Sequence, residues 1–124
     1  SMQHLALSKQ YGCIFSALGT FQQISNSEDA QRALQAFYDH LLPGGKLLVY
    51  LYLPWHDAPP FGEWHEHQTI VVDEKKIVVR EKSVHDPLEQ LIFSTYRYEI
   101  FENSVCVERE EYELTLRWYS RYEF

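Results

Sequence analysis

His56, Asp57, Glu63, His65, Glu66 and His67 form the densest group of acid–base and metal-ligating side chains in the sequence. An imidazole changes charge near neutral pH and also binds borderline metals, so two chemistries are open to this group. Alternate residues of a strand share a face, which would let His65 and His67 reach one ion. The spacing matches no zinc signature and no cysteine pair accompanies it, so the reading is a hydrated loop edge with no metal. Trp55, Phe61 and Trp64 punctuate the same stretch. They either close over an aromatic ligand or anchor a long connection, and anchoring is the commoner use of such side chains. Tyr96, Tyr98 and Tyr112 carry the same double reading, with sheet packing ahead of ligand contact. Cys13 and Cys106 each lie in an apolar run and are expected to be buried thiols rather than a disulfide.

These side chains must be held by elements that the apolar pattern outlines. Cys13, Ile14 and Phe15 form a short apolar run after Gly12, followed by Ser16, Ala17, Gly19 and Thr20, which reads as a buried strand running into a loop. Ser25, Asn26 and Ser27 then offer helix caps, Ser25 having capping-box spacing to Glu28. Ala30, Ala33, Leu34, Phe37 and Leu41 recur at helical intervals, so one apolar stripe faces a sheet. The helix is expected to stop at Pro43-Gly44-Gly45, where proline cannot continue it. Lys46 to Leu53 is nearly continuous in apolar residues, as a parallel strand covered on both faces would be. From His67 onward the period changes to two, with turns at Glu74-Lys75, Asp86-Pro87 and Glu102-Asn103-Ser104.

The expectation is therefore a single α/β domain over residues 1–124. A partial Rossmann-like strand–helix–strand unit occupies 1–54, a hinge 55–66, and a four-stranded antiparallel meander with the start of a helix 67–124. Two parallel strands form a narrow sheet with exposed edges, so a homodimer or a complementing chain is expected to cover them. A formal charge of −7, with eleven basic residues scattered beside acids, excludes a nucleic-acid binder, because phosphate neutralisation needs clustered Lys and Arg. No apolar run reaches the length of a membrane-spanning helix, and the N-terminus lacks the pattern of a secretion signal, so the expected setting is cytoplasmic.

The run from Tyr11 to Ile24 (YGCIFSALGTFQQI), then a helix, then Leu41 to Val49 (LLPGGKLLV), resembles the fourth strand, following helix and fifth strand of class I S-adenosylmethionine (SAM)-dependent methyltransferases. Tyr96 to Glu102 (YRYEIFE) and Leu116 to Phe124 (LRWYSRYEF) are similar to members that methylate small molecules and carry an antiparallel insertion after the fifth strand. The chain departs from that pattern in having no G-x-G-x-G after an early strand, and in placing Gly12 where an aspartate usually begins the fourth strand. The resemblance thus implies the rear portion of a methyltransferase domain, which binds little or no SAM by itself. It also implies that Ser16, Ala17, Leu18, Gly19 and Thr20 line the cofactor, that Phe21, Pro54, Trp55 and Trp64 face the small-molecule acceptor, and that His56 is the base if one is used. The alternative reading is a non-catalytic dimeric module holding a small ligand or partner on the aromatic face of the meander.

Overall fold

The computed structural model describes residues 1–53 and 61–120. Pro54, Trp55 and His56, expected to face the acceptor, lie outside the described residues. Contacts divide the chain into two units, Ser1–Pro54 with Leu116–Phe124, and Trp55–Thr115.

The first unit is built on β1 (Tyr11–Ser16), α1 (Ser27–Asp39) and β2 (Leu41–Val49), with β1 and β2 parallel. Asn26 alone of the three candidate residues caps α1. Its extended backbone lets Oδ1 accept from the N–H groups of Glu28 at 2.9 Å and Asp29 at 3.0 Å, and both acids suit the positive end of the helix. The apolar stripe buries Ala30, Ala33 and Phe37 against Phe21 and Ile24, and Ile14, Leu47 and Val49 of the sheet close that core.

Two expectations are corrected here. The helix ends at Asp39, not at Pro43, and Pro43-Gly44-Gly45 belongs to β2. Tyr11 pairs with Leu41 but Cys13 pairs with Lys46, so the intervening residues of β2 loop out as a bulge. Gly45 is required there, because a Cβ would stand 2.8 Å from the carbonyl oxygen of Leu42. Cys13 is also exposed, not buried. Helix α1 covers the Ile14, Leu47 and Val49 face, while the opposite face presents Phe15 and Leu48, paired in register, at 74% and 55% exposure.

The second unit is one sheet in the order β3 (His65–Val72), β4 (Lys75–Asp86), β5 (Leu91–Glu102) and β6 (Val105–Arg117), whose last two residues belong to the first unit. Asp73 and Glu74, then Asn103 and Ser104, take left-handed backbone conformations, the twist that two-residue hairpins need. The first turn falls one residue earlier than expected. Val78, Val79, Ile92, Ser83 and Ser94 are buried, whereas Cys106 is exposed, again contrary to expectation.

Alternation along β5 holds at Ile92 and Ser94 but then changes face, leaving Tyr98 exposed and Glu99 buried. Arg109 holds Glu99 through Nε and Nη2, both donating to Oε1 at 3.0 and 2.7 Å, while Arg80 donates to Oε2. A carboxylate is tolerated at this depth because two cations satisfy it.

Candidate functional site

Ligands of open α/β sheets sit beyond the carboxyl ends of parallel strands. In the first unit those ends are Ser16 on β1 and Val49 on β2. The Tyr50 N–H donates to the Ser16 carbonyl at 2.8 Å, carrying the pairing one rung past β2. The chain then leaves β1 through a tight turn. Thr20 closes it by donating its N–H and its Oγ1–H to the Ala17 carbonyl at 3.0 and 2.7 Å. Leu18 and Gly19 both adopt positive φ, 52° and 67°, and Leu18 is 87% exposed. At the strand end, the Ser16 Oγ is buried without a hydrogen-bond partner among the described residues. A buried hydroxyl in that state costs about 1–3 kcal/mol, so this end of the sheet carries unspent hydrogen-bonding capacity.

The residue that fixes this end was not singled out in the sequence. Gln22, fully buried, accepts from the Tyr52 N–H at 2.5 Å and donates through Nε2 to the carbonyls of Tyr52 and Arg117, each at 3.0 Å. One amide thus clamps the segment after β2 to the tail of β6 within the first unit. Arg117 Nε donates in turn to the Ser25 carbonyl at 2.6 Å. Adjacent glutamines give no pattern that would mark one as buried. The only available signal was that a glutamine follows an aromatic core residue inside a 3-10 turn, Thr20–Gln23.

The predicted residues separate as follows. Ser16 to Thr20 come together in the one turn. Phe21 turns into the core at 0% exposure, with ring centroids 6.3 Å from Phe37 and 5.8 Å from Tyr119, so its side chain serves packing. Trp64 lies in the second unit, where the Arg97 guanidinium sits 4.0 Å over its ring, and Arg97 Nε also donates to Glu111 at 2.8 Å. His65 and His67 open β3 beside Glu81.

Among the described residues, His85 and Lys75, both in the second unit, depart from their ordinary values. Burial pushes the His85 imidazole down, with Glu81 acting weakly the other way, and hydrogen bonding to Glu102 raises Lys75. A groove of about 520 Å³ in that unit is lined by Glu74, Lys76, Val78, Arg80 and Phe101, a charged rather than aromatic wall.

No protein-family profile matches the chain, and no curated protein matches it in sequence. Solved structures do match. An amino pentose methyltransferase of Micromonospora echinaspora involved in calicheamicin biosynthesis, solved with SAM bound, superposes with a TM-score of 0.78 at 13% identity, over 99% of this chain and 50% of that one. A sugar N-methyltransferase from a Streptoalloteichus species gives 0.75 at 13% identity, over 97% and 47%. The CcbJ methyltransferase of Streptomyces caelestis gives 0.72 at 20% identity, over 96% and 45%. The chain therefore has the fold of about half of a SAM-dependent methyltransferase, a parallel strand pair with its helix and a four-stranded antiparallel sheet.

Proposed function

We propose that this chain is the acceptor-side part of a SAM-dependent methyltransferase acting on a small molecule, and that these residues alone do not hold the cofactor. The carrying observation is the end of the parallel pair, where an open, left-handed turn follows a buried serine hydroxyl that has no hydrogen-bond partner among the described residues. The residues present fit the cofactor along one wall only. Ser16 Oγ and the turn Ala17, Leu18, Gly19 and Thr20 offer polar and backbone groups, but the sequence lacks the glycine-rich strand–turn–helix whose N–H groups would hold the rest.

SAM, when held by a complete site, supplies the electrophilic methyl group. The protein's part is to place the acceptor in line, exclude water and remove a proton. By the family resemblance Pro54 and Trp55 would face the acceptor, and His56 would accept the proton released when an amine or hydroxyl is methylated. The sugar and amino pentose substrates of the neighbours support an acceptor of that polarity. The bare Phe15–Leu48 face supports a homodimer or a complementing chain as its cover.

Calorimetry with S-adenosylhomocysteine tests the cofactor claim: the 124-residue chain should show no micromolar binding, and micromolar affinity would overturn it. Light scattering after size exclusion tests the cover, since a stable, dilute monomer would count strongly against the dimer.

A further inference from the structure

We infer that the second unit carries a binding site for a borderline divalent transition metal, of which Zn²⁺ is the representative, formed by His65, His67 and Glu81. One ligand atom from each residue lies within 4.8 Å of the other two. The His67 Nδ1 stands 3.3 Å and the His65 Nε2 3.7 Å from the Glu81 Oε2. Both spacings are long for hydrogen bonds, which for N–H···O lie at about 2.7–3.2 Å. Metal–ligand bonds of about 2.0–2.2 Å in a tetrahedron put the donor atoms about 3.3–3.6 Å apart, so the His67 spacing fits a shared ion as it stands and the His65 spacing fits after a shift of a few tenths of an ångström. Two imidazoles and one carboxylate suit Zn²⁺ and its neighbours, not Mg²⁺ or Ca²⁺, which take oxygen.

The backbone explains how three such residues converge. His65 pairs across the sheet with Glu81, and the register then slips between Glu66 and Gln68, so His67 sits at the slip. In a regular ladder His67 would pair two rungs further along β4. The slip holds it beside the carboxylate that His65 already faces.

Neighbouring groups fix the ligands. Ser94 Oγ donates to the Glu81 Oε1 at 3.0 Å, leaving Oε2 for the histidines, and the Tyr96 ring meets the His67 ring edge-on with centroids 5.8 Å apart. The His65 Nδ1 is buried without a hydrogen-bond partner among the described residues, so this ring is placed by its cross-strand pairing with Glu81 and not by an outer hydrogen bond. The Glu81 and His65 side chains are 16% and 26% exposed and that of His67 is 51%, an arrangement closed on two sides and open on the third. Three protein ligands with one open side is the composition of zinc sites that keep a position for water or another ligand.

The test is a titration of the full chain with Zn²⁺ against a chromophoric chelator, repeated with Co²⁺ to read ligand geometry from its visible absorption. One equivalent should bind. His67→Ala should weaken binding at least tenfold with the circular dichroism spectrum unchanged, because His67 is half exposed. Ser94→Ala, which leaves all three ligands in place, should weaken it by about 10–100-fold through loss of the outer support. His4→Ala and the double substitution Cys13→Ser with Cys106→Ser should bind as the parent does. Absence of one-to-one binding in the parent, or unchanged affinity in both His67→Ala and Ser94→Ala, would overturn the assignment.

Discussion

Replacing Gln22 by methionine keeps the length and volume of a fully buried side chain and removes its polar atoms. Three hydrogen bonds to backbone are then lost: those of Gln22 with the N–H and carbonyl of Tyr52 and with the carbonyl of Arg117. Each such hydrogen bond to a part-buried group is worth about 1–3 kcal/mol when one partner is removed. Tyr52 is 44% exposed, so water can recover part of that, and a total of about 3–6 kcal/mol is expected. A domain of ordinary stability has only about 5–15 kcal/mol to lose, so Gln22→Met should leave the first unit close to its unfolding threshold. Urea unfolding gives the total, and amide hydrogen exchange localises it, since the Tyr52 N–H should lose protection more than amides of β4 and β5. A midpoint within about 0.5 kcal/mol of the parent, the range of ordinary surface substitutions, would refute the clamp.

Glu99→Ala strips two arginines of their shared carboxylate. The loss should be about 2–3 kcal/mol by urea unfolding, below the fully buried range because the Arg80 and Arg109 side chains are 36% and 56% exposed, while Arg109→Ala should lose less than about 1 kcal/mol. Gly19→Ala should destabilise by about 1–2 kcal/mol in the same assay, because φ is 67° and the new Cβ would stand 3.3 Å from the Gln22 Oε1. His85, held below its ordinary value near 6.5 by burial, with Glu81 acting the other way, is protonated first in the unfolded chain. Its contribution is therefore complete above pH 6.5 and is lost as pH falls toward the lowered folded value; stability-against-pH curves of the parent and His85→Gln should diverge in that window and nowhere else.

The parallel pair and the meander were legible because each rests on a local pattern: apolar runs at Cys13–Phe15 and Lys46–Leu53, a helical stripe between them, and alternation after His67. The turn Ser16 to Thr20 was legible for the same reason, as small residues following a strand. What escaped depends on partners distant in sequence. The Pro43-Gly44-Gly45 motif terminates helices in one context and forms a bulge in another, and the choice was made by the pairing of Tyr11 with Leu41. Cys13 reads as buried whenever its strand is assumed to be covered twice, yet α1 covers only the other face. Glu81 faces His65 by direct cross-strand pairing, but His67 stays beside it through the slip between Glu66 and Gln68, which no periodicity announces. The burial of Glu99 depends on Arg80 and Arg109, which close on it from neighbouring strands.

A titration of ¹⁵N-labelled chain with S-adenosylhomocysteine to millimolar concentration, followed residue by residue in the amide spectrum, most directly asks whether this chain brings one wall of a methyltransferase site. Weak, non-saturating shifts confined to Ser16–Thr20 and Tyr50–Leu53 are the predicted result. Saturation at micromolar concentration, or shifts centred on the strands of the antiparallel sheet with the turn silent, would contradict it.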